Sequence, residues 1–471
     1  MRIQVLAALA GLVALPVMRP EAQRPVSDRR RWMDSTTQTS DDPQRLPVQN
    51  VPRGPDGSLV LLGGRLFDGT GAPTREATLI IVRNKVTAVL PKDARNFPNG
   101  ARVIDVTGKT IMPGLIDLHT HLDYREPGED GVSGNDVSRA TLRGVERLRF
   151  FVESGITSVR DVGSHGVVPF RLKEWVSANR IPGPRVFPSG TLITGTGGHG
   201  DLGDGSFLAG AIRLAEGADD WRKAVRENFV MGADVIKIAS HFSKAEVEAA
   251  VDEAHDLGLK VTCDCETFYI DRAVEAGVDM IEHPLPRSDS AIALMAQRGT
   301  QADPTLVPYI IIFDERGGYW GSSSRRFTFS KEANLNVLRR MKQAGIKLGV
   351  GTDLVTNWYR YMPAPYITEL EQFVAVGYTV PEALVAATRT NAELLDMGDK
   401  LGTLTPGKLA DVLVVNGRPD VNLQDLAKVD MVIRDGNVVV QDGRVWVPRH
   451  VPVVAPRPYA DSTSGKARPK S

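Results

Sequence analysis

The chain has 471 residues, 42% of them hydrophobic and 24% charged, the make-up of a globular protein able to bury a large core and a second, smaller one. Lys and Arg total 57 and Asp and Glu total 57, so no net charge draws the chain to nucleic acid or to an anionic membrane. The expected partner is a small-molecule substrate, with homo-oligomer formation left open.

Arg2 followed by an apolar run from Ile3 to Val17 and then polar, Pro-rich sequence has the layout of a secretory signal, too short to span a bilayer. Residues 1–22 are expected to be removed, with cleavage near Ala22, and the mature protein to be exported, periplasmic or extracellular, with no membrane attachment; an uncleaved membrane anchor or a misplaced start codon is the alternative. Residues 23–57 are rich in Pro, Arg, Asp, Ser and Thr without apolar periodicity and read as a linker. Short β-type runs follow at Leu59–Leu62, Thr78–Val82, Lys85–Leu90 and Arg102–Val106.

From 111 to 399 short apolar runs alternate with helical stretches. Candidate strands are Gly114–His121, Thr157–Asp161, Arg185–Ser189, Asp234–Ile238, Lys260–Asp264, Met280–His283, Gln301–Leu306 and Lys347–Asp353. Eight βα units predict an α/β fold, a closed parallel (β/α)8 TIM barrel. Ser243 with Glu246 and Thr379 with Glu382 fit the capping box that opens a helix. After the barrel, Asp411–Asn416, Val429–Arg434 and Asn437–Val440 return to β-type sequence, so residues 58–110 and 400–450 are predicted to meet as one discontinuous β-sandwich, with 451–471 a polar tail.

The chemistry sits at predicted strand ends. His119 and His121 are two apart on the first barrel strand, so both imidazoles face the same way, at the C-terminal rim where barrel active sites lie. Neutral imidazole is a good ligand for Zn2+ and similar ions. Lys237, flanked by β-branched apolar residues, faces desolvation of its ammonium; as a neutral amine it can take up carbon dioxide and become a carbamate that bridges two metal ions. A lysine salt-bridged at the mouth is the alternative. His283 closes the sixth strand and Asp353 the eighth. Cys263 and Cys265, two apart on a presumed strand, point the same way but are expected to lie too far apart for a disulfide.

These motifs resemble the amidohydrolase superfamily, in its imidazolonepropionase- and prolidase-like branch. The matching text is Met112 to His121, Gly155 to Asp161, the Lys237 strand, Ile281-Glu282-His283, Gly351-Thr352-Asp353 and Gly402 to Asp411. The resemblance implies a metal-dependent hydrolase of C–N bonds holding one or two divalent ions. It places His119 and His121 on one metal, Lys237 as a bridging carbamate, His283 as a further ligand, and Asp353 as ligand and proton shuttle. The loop Thr194 to Gly200 also resembles this branch, and in it His199 has either a substrate or outer-shell role or only holds the loop. One departure stands out: the histidine that usually closes the fifth strand is missing, and its place falls on Asp264 or, by another count, on Cys263. An anionic ligand there would weaken Lewis acidity, or the second metal would be lost. Ester or lactone hydrolysis on the same centre, or a binding protein on a decayed barrel, are the competing readings. His241 is a candidate for the mouth, His255 for packing, and Asn357 to Tyr361 either wall the substrate pocket or pack as an ordinary loop.

Overall fold

A computed structural model describes residues 55–126, 136–201, 208, 210–316, 330–355 and 357–447. The signal segment, most of the linker and the polar tail lie outside the described residues.

Leu59 and Leu61 of strand Ser58–Leu66 lie on one side, and a bulge between Leu61 and Gly64 brings Leu66 to it too, so the three share a buried cluster with Leu79, Ile81, Val412, Val414 and Ile433. The joint between the two ends of the chain is Thr110–Pro113. It pairs in parallel with Ser58–Leu66 and antiparallel with Val412–Val415. Strands from before and after the central region thereby form one nine-stranded sheet. Gly114 is the hinge from this sheet into the central region. A Cβ there would lie 2.2 Å from Thr157 Oγ1, so only glycine lets the two strands approach.

The central region is mixed α/β with parallel strands. Leu115–Thr120, Ile156–Asp161 and Arg185–Pro188 form one sheet; Val235–Ala239, Lys260–Asp264, Met280–Glu282 and Gln301–Asp303 lie in a second. Leu115–Thr120, Ile156–Asp161 and Val235–Ala239 are buried at every position, as expected of parallel strands covered on both faces. The covering helices are amphipathic: Val137–Glu153 buries Ala140, Gly144, Leu148, Phe151 and Val152 on one stripe. Both capping boxes form, at Ser243 with Glu246 and Thr379 with Glu382.

Some details differ from the sequence expectation. The seventh strand stops at Asp303, and Leu306 already begins a helix, because Glu369 accepts the Val307 N–H at 2.9 Å and caps that helix start. The stretch 347–353 is not a full strand; it bridges in parallel to Ala302 through Leu348 and to Thr120 through Leu354. Asp234 N–H donates to Pro188 O at 2.8 Å, linking the edges of the two sheets. Leu192–Thr194 and Ile212–Leu214 form an added pair of three-residue strands.

Burial leaves several carboxyls in this interior poorly solvated. It pushes Glu369 from 4.5 up to about 8, against the backbone N–H groups of Leu306 and Val307 that favour its charged form. A group whose pKa is raised by folding stabilises the fold while protonated, and that contribution is lost as pH rises from about 4.5 to about 8. Glu369→Gln, which cannot ionise, is therefore expected to gain stability relative to the parent as pH rises through this window. Urea denaturation of the metal-free proteins at several pH values measures it; parallel pH profiles would contradict it.

Candidate metal centre

The ends of the central strands bring six of the sequence candidates together. The rings of His119 and His283 are 4.8 Å apart and those of His119 and His121 are 5.1 Å apart. Asp353 Oδ1 lies 3.4 Å from His119 Nε2 and 3.2 Å from His121 Nε2. Lys237 Nζ is 3.1 Å from His119 Nε2. Asp264 Oδ2 is 3.1 Å from His283 Nε2 and 3.7 Å from Lys237 Nζ. Of the two fifth-strand alternatives, Asp264 faces His283 and Lys237, whereas Cys263 is bonded to Cys265.

Each imidazole is held by its other nitrogen. His119 Nδ1 is 2.9 Å from Glu282 Oε2, and His121 Nδ1 is 2.8 Å from Gly163 O. A carboxylate and a carbonyl can only accept, so Nδ1 carries the proton in both rings and each Nε2 presents a lone pair. His283 Nδ1 is 2.7 Å from Thr305 Oγ1. Burial, then the charges of Lys237, His283 and His121, hold the His119 pKa well below its usual value, which keeps the ring neutral.

Lone pairs of two imidazoles aimed at a carboxylate oxygen repel unless a cation lies between them. With metal–ligand bonds of roughly 2.0–2.2 Å, two ligands on one ion are separated by about 3–3.5 Å, the spacing found here. His119, His283 and Asp353 form a group whose ligand atoms all lie within 4.8 Å of one another. The residues therefore fit a divalent ion. A second such group, His119, Glu282 and Asp303, is less suited, because Glu282 Oε1 already accepts from Arg160 at 2.6 Å and from Thr262 Oγ1.

The supporting contacts were not assigned roles in the sequence. Glu282 orients His119 and is itself held by Arg160 and Thr262. Asp117 accepts from the backbone N–H of His119 at 3.1 Å and of Thr352 at 3.0 Å, tying the first strand to the Asp353 turn. Tyr359 accepts from His121 N–H at 3.0 Å and donates to His121 O at 2.7 Å, while Arg147 covers the Tyr359 ring. So the aromatic segment after Asp353 contributes a buried clamp on a candidate ligand, although Tyr361 is exposed. His165 and Asp123 pair at 2.9 Å and fix the loop that supplies Gly163 O. Ionisable residues on otherwise apolar candidate strands, such as Glu282 and Arg160, were the available signal, since a buried charge needs a partner.

His199 reaches the same rim, with Nε2 3.6 Å from Asp264 Oδ2. Its loop wedges against the end of the Lys237 strand: a Cβ on Gly195 would lie 2.0 Å from His241 O. His241 stacks on Tyr269 at 5.7 Å, and His255 pairs with Asp279 at 2.8 Å, a packing role on its helix. The side chains of Asp353 and His199 are 16% and 18% exposed, those of His119, His121, Lys237, Asp264 and His283 at most 6%. Asp353 and His199 are therefore the most accessible of these seven side chains.

The expectation about the cysteines is corrected. Cys263 and Cys265 are joined as a disulfide, with Cα atoms 5.3 Å apart. The strand ends at Asp264 and the chain turns there, so the two residues are closer than the roughly 6.6 Å of a continuing strand.

Glu282→Gln keeps the shape but removes the negative charge behind His119. It is expected to lower divalent-metal affinity about 10–100-fold, read by competition against a chelating dye. Unchanged affinity in the folded variant would contradict the role given to Glu282.

Comparison with known proteins agrees with this geometry. The amidohydrolase family pattern matches residues 110–439. An ochratoxinase from Aspergillus niger is 26% identical over 420 residues, 80% of this chain and 85% of that one. An imidazolonepropionase from Geobacillus thermodenitrificans is 26% identical over 413 residues, 78% of this chain and 91% of that one. A solved prolidase complexed with N-methylphosphonate-L-proline is 30% identical with a TM-score of 0.73, covering 82% of this chain and 100% of that one. With the matched family segment spanning most of the chain and these relatives beside it, the protein belongs to the amidohydrolase family, in its imidazolonepropionase- and prolidase-like branch, and is a hydrolase acting on carbon–nitrogen bonds.

Proposed function

We propose that the protein is a metal-dependent amidohydrolase that cleaves an amide, a dipeptide-like bond or a cyclic amide in a small molecule, on a closed (β/α)8 barrel. The observation that carries this is the convergence of the His119 and His121 Nε2 atoms on Asp353 Oδ1. The bridges from residues 348 and 354 and the link from Asp234 to Pro188 favour closure of the barrel. The relatives named imidazolonepropionase and Xaa-Pro dipeptidase favour an amide over an ester.

His119, His121, His283 and Asp353 would hold a divalent ion, Zn2+ by their donor chemistry, with Lys237 as a carbamate and Asp264 holding a second. An ion held there would supply a water of lowered pKa, towards about 7, and would polarise the scissile carbonyl. The chain's own part is positioning and proton transfer. Glu282, Gly163 O and Thr305 keep the three rings in one orientation, so the centre needs no rearrangement when substrate arrives. Asp353 turns Oδ1 to His119 and His121, and its Oδ2, 3.8 Å from His283 Nδ1, would take a proton from the attacking water and deliver it to the leaving nitrogen. Without that proton an amide nitrogen leaves as a strongly basic anion. His199, at the opening, contacts the substrate or the Asp264 side of the centre. Export through residues 1–22 belongs to the same proposal; no helix among the described residues is long and apolar enough to cross a membrane.

Chelation is expected to abolish hydrolysis across a panel of dipeptides and cyclic amides, and Zn2+ to restore it. Asp353→Asn is expected to lower kcat about 10²–10⁴-fold with metal still bound. Chelated, metal-free protein that hydrolyses at the full rate would overturn the proposal.

A further inference from the structure

Two of the groups at the centre are aspartates, whose oxygens lie one bond nearer the backbone than a histidine Nε2. A short side chain reaches a shared centre only if its backbone is aimed there. Asp353 achieves this with a backbone φ of +45°, a left-handed conformation held by its N–H bond to His119 O at 2.8 Å. Asp264 has no such φ. Instead it is bracketed by the bonded pair Cys263 and Cys265, both fully buried. Its carbonyl is fixed as well, accepting from Ser240 N–H at 3.3 Å, while the Ser240 hydroxyl donates to Glu266.

A bridge between residues two apart closes a very short loop, so it restricts the unfolded chain little and adds little global stability. Its effect is local: the ring contains Asp264 and restricts that residue's two dihedrals, and with them the direction of the carboxylate. The carboxylate so aimed lies 3.1 Å from His283 Nε2, 3.7 Å from Lys237 Nζ and 3.6 Å from His199 Nε2.

We propose that the Cys263–Cys265 disulfide is a positioning element for Asp264, so that an ion on the Asp264 side of the centre is held tightly only in the oxidised chain. The inference rests on the metal-centre reading above. Reduction by a dithiol supplies two electrons and two protons, breaks the S–S bond, leaves two thiols and converts the dithiol to its cyclic disulfide. The freed chain keeps Asp264 in sequence but no longer in fixed aim.

The test uses the full-length, Zn2+-loaded protein. Denatured without reductant, it should show no free thiol; two thiols per chain would overturn the inference. The double variant Cys263→Ala/Cys265→Ala, checked for folding by circular dichroism, should bind its weaker Zn2+ about 10–100-fold less tightly. The Co2+-loaded form should show a changed visible spectrum. Asp264→Asn should produce the same loss, and combining it with the cysteine pair should add nothing further, which a merely structural bridge would not do. If the alanine pair does not fold, dithiol-reduced parent protein with its thiols alkylated serves the same comparison. Unchanged Zn2+ affinity and Co2+ spectrum without the bridge would overturn the inference alone. A parent protein that binds no Zn2+ would overturn the metal-centre reading and this inference with it.

Discussion

The site depends on where three imidazole protons are spent. Glu282 and Gly163 O take the Nδ1 protons of His119 and His121, and Thr305 engages Nδ1 of His283. The Nε2 atoms of His119 and His121 are then lone-pair donors facing Asp353, in an interior where an unmatched polar group is costly. His119 Nε2 has the Lys237 amine 3.1 Å away, and the facing atoms together suit a shared cation. The same logic explains the layer behind it: Arg160 neutralises Glu282, and burial together with Glu282 raises the pKa of Asp303 well above the usual carboxylate range, sparing the interior a further charge.

The fold serves this constraint by ending its strands in unusual backbone. His241, Thr267, His283, Thr305 and Asp353, all near the rim, have positive φ. Non-glycine residues hold that conformation only where the surroundings over-determine it. Close approach is equally specific. A Cβ on Gly351 would lie 2.4 Å from Asp303 Oδ2 and 2.8 Å from His119 N, so the turn carrying Asp353 can pass the first strand only as glycine. The Gly-rich loop before His199 uses the same device against His241.

Much of this was legible in one dimension. Short runs such as Leu115–Thr120 and Val235–Ala239 are buried at every position, so their apolar residues mark them in the sequence. Ligand candidates were legible because a polar residue closing such a run needs a reason to be there. The three-residue strands at 192–194 and 212–214 were not, being too short to carry a period. Nor were Tyr359 and Glu282 as supports, because their partners are 238 and 163 residues away in sequence. The cysteines were misjudged for a geometric reason: extended spacing was assumed through Cys265, whereas the strand ends one residue earlier. Substrate identity is a property of loops around the rim, and the strand pattern carries no information about it.

The resemblance leads one to expect an imidazole at the end of the fifth strand, where the structure turns the Asp264 carboxylate towards His283 and Lys237. Were Asp264 and Asp353 both to bind metal, the centre would carry a lower net charge than an all-imidazole one. The most direct measurement of the central claim is anomalous X-ray diffraction at the zinc edge from crystals grown with Zn2+. The account expects a peak about 2.1 Å from Nε2 of His119 and His121 and bonded to Asp353. A peak bonded through Nδ1, or no peak between these three residues, would contradict it.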